Sequence, residues 1–218
     1  MKKGVFFFLI LLNTFSYVLS QQKINQSSKT KLSILFIGNS LTYTNNLPQL
    51  VEEYAKPYGI TLNTKMIAYP NYAIEDHWKD GKVQKHISSK KYDFVIIQQG
   101  PSSQKNGRKM LIEYGKKYND LCKLNQTQLC YFTVWPSLRY YYTFDDVIKN
   151  HKDAAEINNS ILLPVGKVWK EYIDTTNNKK YYSSDGFHPS ITGSQIAAKI
   201  IVENLLLHSK KITQKSDY

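Results

Sequence analysis

At 218 residues, with 42% hydrophobic and 21% charged side chains, the chain has the size of one globular domain with at most a small appendage, and its composition excludes a disordered or collagen-like polymer. The formal net charge is +12, yet no block of five or six like charges forms a basic tail. Two cysteines exclude a disulfide-dense mini-scaffold or a cysteine-rich zinc module, and 17 tyrosines suit a site that stacks on sugars as well as a packed core.

Lys2 and Lys3 precede a short apolar run, Val5 to Leu12, and Val18-Leu19-Ser20 has the form of a small-residue cleavage site before Gln21. Residues 1–20 therefore read as a secretory signal peptide. The apolar run is short for a bilayer span, and an uncleaved N-terminal anchor is the alternative. No cysteine follows the cleavage point, so a lipid anchor is not supported. Gln21 to Lys31 is polar and reads as a flexible leader, which leaves 32–218 as the domain. Losing Lys2 and Lys3 reduces the charge to +10. Export, to a periplasm or the exterior, allows a disulfide to persist. One is expected between Cys122 and Cys130, which flank a polar connection; two buried free thiols are the alternative.

The remainder alternates strand and helix. Leu32 to Ile37 is an apolar run ending at Gly38, as in a buried parallel strand. Leu47 to Tyr58 has helical apolar spacing and stops at Gly59. Thr61 to Tyr69 reads as a second strand, Ile74 to Ile87 as a weaker helix interrupted by Gly81, and Tyr92 to Ile97 as the clearest strand. A helix over Arg108 to Leu124, a strand over Leu129 to Trp135, a helix over Phe144 to Asn158 and a strand over Ile161 to Val165 follow. Leu163-Pro-Val-Gly166 with Trp169 reads as core strand and turn, and Ser190 to Leu207 as a long amphipathic helix. This alternation predicts an α/β fold: a doubly wound, five-stranded parallel sheet in a three-layer α/β/α sandwich. In such sheets chemistry sits beyond the carboxyl ends of the strands.

Two loops there carry reactive side chains. In Gly38-Asn39-Ser40-Leu41-Thr42, Ser40 leaves the first strand for a helix and can present its hydroxyl and its own N–H at the sheet edge; a helix-capping serine is the plainer reading. In Ser184-Asp185-Gly186-Phe187-His188-Pro189, a carboxylate three residues before an imidazole can orient it, although an Asx turn beside a solvated histidine has the same spacing.

Gly-x-Ser-Leu after the first strand, with Asp-x-x-His-Pro before the last helix, resembles the GDSL/SGNH hydrolase family over most of the chain. Asn39 stands where the family name has Asp. The resemblance implies a flavodoxin-like sandwich, Ser40 as nucleophile, and Asp185 and His188 as its partners. It implies an oxyanion hole from the backbone N–H groups of Ser40 and Asn71, with Asn71 at the position of a family glycine. The usual third donor is an Asn side chain. Gln98-Gln99-Gly100-Pro101-Ser102-Ser103 has none and is closer to a Gln-Gly stretch of SGNH-type carbohydrate acetylesterases, so Gln99 is the expected donor and Ser102 the alternative.

His77, Trp78 and Tyr141 are candidate substrate contacts, with helix-face or loop packing as the competing reading. His86, His151 and His208 are scattered, and no His/Cys/Asp set has metal spacing, so neither metal nor other cofactor is expected. No nucleic-acid motif accompanies the basic charge. Anionic polysaccharide or cell envelope is the better partner for it. The expected activity is a Ser-His-Asp esterase taking a small-molecule or glycan ester, an acetylated carbohydrate above all. A catalytically weak glycan-binding protein on the same fold is the competing class, and a lipase or thioesterase the rival within enzymes.

Overall fold

A computed structural model describes residues 30–89 and 91–215. The expected signal peptide and most of the expected leader lie outside the described residues. The leader's last two residues, Thr30 and Lys31, already belong to the first strand.

Five strands form one sheet: β1 (Thr30–Gly38), β2 (Ile60–Ala68), β3 (Phe94–Ile97), β4 (Gln128–Phe132) and β5 (Ile161–Leu163), in the order β2-β1-β3-β4-β5. Every pairing is parallel. The helices are α1 (Ser40–Tyr43), α2 (Leu47–Ala55), α3 (Ile74–Asp80), α4 (Lys82–Ser89), α5 (Lys105–Leu124), α6 (Phe144–Ile157), α7 (Val165–Thr176) and α8 (Ile191–Lys215). The doubly wound parallel sandwich expected from the alternation is the observed fold.

Strand alternation divides the core in two. Ile34, Phe36, Ile96, Cys130 and Phe132 face α2, α7 and α8, whereas Leu35, Ile37, Val95, Ile97 and Tyr131 face α3, α4 and α5. All four residues of β3 are buried because both faces of a central parallel strand are covered. Gly81, at φ 73°, separates α3 from α4, the break the sequence indicates.

The same alternation corrects the expected disulfide. Cys122, on α5, belongs to one half of the core and Cys130 to the other. Their side chains lie on opposite sides of the sheet, and both are buried free thiols. Burial raises the Cys122 thiol to about 12 and moves Cys130 in the same direction. A second correction falls at residues 163–176. The fifth strand ends at Leu163, and Val165 opens a helix instead of completing a strand and turn. Pro164 is the N-cap of that helix. Val165, Gly166, Trp169 and Ile173 are its buried residues, an i, i+4, i+8 stripe.

The chain runs from β1 outward to β2, then crosses back to β3 on the other side of β1. The carboxyl ends of β1 and β3 thus flank the point where the winding reverses, the place where open α/β sheets leave a crevice.

Candidate active site

The crevice is built on the exit from β1. Asn39 caps the short helix α1, its Oδ1 accepting the Leu41 N–H at 3.1 Å. Ser40 is the first residue of that helix, so its N–H has no intrahelical acceptor and remains available to a ligand. From β3, Gln98 Oε1 accepts the Asn39 N–H at 2.9 Å and the Thr42 hydroxyl at 2.8 Å. From the loop after β2, the Tyr72 carbonyl accepts Asn39 Nδ2 at 3.0 Å. Three strand ends therefore fix the position of one serine.

Asn71 sits in that second loop at φ 61°, a left-handed conformation that Asn accepts more readily than most residues. No acceptor for its N–H is found among the described residues. Asn71 and Ser40 line one cleft of about 370 Å³, together with Tyr72, Gln99, Met110 and Phe187.

The loop before α8 is shaped by Asp185. Its Oδ1 accepts the Ser183 hydroxyl at 2.7 Å and the N–H groups of Phe187 and His188 at 2.8 and 2.9 Å. Its Oδ2 lies 2.6 Å from His188 Nδ1. These bonds, the one with the imidazole foremost, hold the carboxyl well below the usual carboxylate range. With Nδ1–H donating to the Asp185 carboxylate, Nε2 is the acceptor, and it lies 2.9 Å from Ser40 Oγ. The loop is tied down on both sides. Trp135 Nε1 donates to the Phe187 carbonyl at 2.9 Å. Asn45 Nδ2 donates to the Pro189 carbonyl at 3.1 Å and to Ser194 Oγ at 3.0 Å, joining the segment after Ser40 directly to the His188 loop.

The other sequence candidates fall elsewhere. Gln99 reaches the cleft wall, but its Nε2 donates to Ser102 Oγ at 2.6 Å and to the Gly107 carbonyl at 3.4 Å. Both amide hydrogens are engaged, one by Ser102 in the same loop and one by the first turn of α5, so Gln99 does not present the expected third donor. Ser102 does not either, since its hydroxyl donates to the Gly100 carbonyl at 2.9 Å. His77 is buried and off the cleft. Its Nε2–H donates to the Gly38 carbonyl at 2.8 Å, and its ring stacks on Tyr69 and meets Tyr72 edge-on. Desolvation lowers its pKa, which favours this neutral donor role. Trp78 packs edge-on against Tyr118 in the core. Tyr141 donates to Asp174 Oδ1 at 2.6 Å and borders a separate hollow with Leu138 and Asn177. None of these three lines the Ser40 cleft.

No family model matches the chain, and no curated protein is similar to it in sequence. Solved structures are similar in fold. A protein from Slackia heliotrinireducens assigned to the SGNH hydrolases superposes with a TM-score of 0.67 at 20% identity, covering 81% of this chain and 100% of that one. The fold is that of the SGNH hydrolases. A lipase/acylhydrolase from Enterococcus faecalis shares it, with a TM-score of 0.65 at 16% identity over 80% of this chain and 95% of that one. So does an acetyl xylan esterase from Geobacillus stearothermophilus, at 0.64 and 16% over 81% and 95%.

Sequence reasoning missed several residues that shape this SGNH-fold crevice, namely Gln98, Asn45 and Trp135, and gave His77 a substrate contact where the structure has it bonded to the Gly38 carbonyl. The signal available for Gln98 was strand alternation, which places it and Gln99 on opposite sides. Nothing in the sequence marks Asn45 or Trp135, whose bonds span many residues of chain.

Proposed function

We propose that the chain is an exported serine esterase that removes a short acyl group, acetyl foremost, from a carbohydrate. The single observation that carries this reading is the continuous relay from Asp185 through His188 to Ser40, at 2.6 and 2.9 Å. Ser40 Oγ attacks the ester carbonyl carbon as its proton passes to His188 Nε2. The negative charge that develops on the carbonyl oxygen is met by the N–H groups of Ser40 and Asn71. As the intermediate collapses, the carbon–oxygen bond to the sugar breaks and His188 gives its proton to the departing hydroxyl. Water then attacks the acyl-serine, loses a proton to Nε2, and Ser40 regains its own as the acid departs. Asp185 stays ionised and stabilises the imidazolium that forms in each half.

A short acyl group is favoured by the cleft, which is small and mixes polar residues with Ala73, Pro101 and Met110 instead of offering a long aliphatic channel. The neighbour described as an acetyl xylan esterase supports a sugar ester. The N-terminal Lys2-Lys3 and apolar run support export. The test compares 4-nitrophenyl acetate, butyrate and octanoate, and measures acetate released from acetylated xylan. The reading expects kcat/KM to fall with acyl length and acetate to appear. A preference for octanoate overturns the acetyl assignment in favour of a lipase or thioesterase.

A further inference from the structure

β2 is one of the two edge strands of the sheet. Its C-terminal half and α4 enclose a hollow of about 360 Å³ lined by Lys65, Met66, Tyr69, Lys82, Lys85 and His86. Three ammonium groups border it and no carboxylate does. Several lysines on α5, α6 and α7 are matched by a carboxylate one turn away, as in Lys116–Asp120, Lys149–Asp153 and Lys170–Asp174, although Lys105, Lys117 and Lys123 on α5 are not. The lysines of the hollow are in no salt bridge among the described residues. Asp80 is the acidic neighbour felt by Lys82 and Tyr72, and it lies outside the lining. Lys82 donates to the Tyr69 hydroxyl at 3.2 Å and stands 4.9 Å over the Tyr69 ring. His86 Nδ1 is buried without a partner.

This hollow adjoins the Ser40 cleft through one aromatic pair. Tyr69 lines the hollow, Tyr72 lines the cleft, and their rings meet edge to face at 5.1 Å. A sugar chain with its acyl group at Ser40 can run past this pair from the cleft towards the hollow. The next unit then enters a pocket bordered by three lysines and lined by no carboxylate. We propose that the hollow is a subsite for an anionic sugar unit, so that the substrate is an acidic glycan, bearing a carboxylate or sulfate beside the acylated residue. The inference deepens the esterase reading and rests on it for the position of the acyl group.

The experiment separates binding from turnover. In the Ser40→Ala protein, affinity for polygalacturonate, dextran sulfate and neutral xylan is measured with and without Lys65→Ala/Lys85→Ala. Both lysines are exposed, so folding is preserved, and Lys65→Arg/Lys85→Arg serves as the charge-retaining control. The double alanine change is expected to weaken binding to at least one acidic polymer about tenfold at low salt, with the arginine pair close to the parent and xylan unaffected. In the active enzyme, the ratio of kcat/KM on acetylated polygalacturonate to that on 4-nitrophenyl acetate should fall by about the same factor. Unchanged binding, or equal losses on acidic and neutral polymers, overturns the proposal. Lysine-dependent retention on phosphatidylglycerol vesicles with none on either acidic polymer overturns it in favour of a membrane surface. Lysine-dependent binding to an acidic glycan by a wild-type protein that cleaves no ester supports the anionic subsite and removes the esterase reading alone.

Discussion

Gln98 Oε1 accepts the Asn39 N–H at 2.9 Å, so the end of β3 holds the turn that carries Ser40. The same oxygen takes the Thr42 hydroxyl, and Gly38 is what lets the two strands approach so closely. A Cβ on Gly38 would collide with the Thr42 hydroxyl and lie 2.5 Å from Gln98 Oε1.

Two substitutions follow from that contact. Gln98→Ala leaves a buried N–H and a hydroxyl unpaired and should cost about 1–3 kcal/mol of stability. Its kcat should fall as Ser40 loses its fixed position. Gly38→Ala should fold and lose most activity. Thermal denaturation read beside kcat checks both, and a fully active Gly38→Ala enzyme contradicts the role given to this contact.

Asp185 is predicted to act through orientation. Its folded pKa is lowered, so the stability its bonds confer is present above the ordinary carboxylate range and lost only as pH falls through the lowered value. It therefore remains charged throughout the ordinary range of histidine titration. Asp185→Asn should lower kcat by about 10³–10⁴ with little change in KM, because an amide no longer fixes the Nδ1–H tautomer. A KM effect with kcat preserved would assign Asp185 to substrate binding instead.

His151 makes stability depend on pH. It is wholly buried on α6, with Nδ1 donating to the Val147 carbonyl and Nε2 unpartnered. Desolvation lowers its pKa from 6.5 to about 4. Between those values the unfolded chain takes up a proton that the folded protein refuses. Stability should be full above 6.5, decline as pH falls through this window, and level off below about 4 for this group. His77 is lowered by burial too and adds a slope of the same sign. Urea midpoints from pH 4 to 8 should show a shallower decline in His151→Gln than in the wild type. Equal slopes would contradict a neutral buried imidazole.

The thiols give a chemical check on the sheet. Denatured, unreduced protein should titrate two thiols, and native protein none, since burial suppresses both thiolates. Reductant should leave the melting temperature unchanged. No titratable thiol after denaturation would mean a bridge and a different packing of α5 on β4.

The parallel strands and the crevice were legible because parallel strands are short apolar runs and the Gly-x-Ser and Asp-x-x-His segments are local. Ser40 and His188, expected on one sheet edge and paired by the family resemblance, lie 2.9 Å apart. What escaped was set by long-range contacts or by face. Gln99 looked like a donor from its residue type, but Ser102 and the Gly107 carbonyl had already taken its amide. Cys122 and Cys130 are close in sequence, yet α5 and the alternation of β4 put them on opposite faces. The α7 helix was hidden by Pro164, which a sequence pattern reads as a stop and the fold uses as a cap.

The most direct measurement is steady-state hydrolysis of 4-nitrophenyl acetate by purified wild-type and Ser40→Ala protein, with circular dichroism confirming equal folding. A nucleophile held 2.9 Å from His188 Nε2 predicts that the alanine variant loses about 10³-fold or more in kcat. Wild-type-level turnover by folded Ser40→Ala would contradict the assignment of ester hydrolysis to this site.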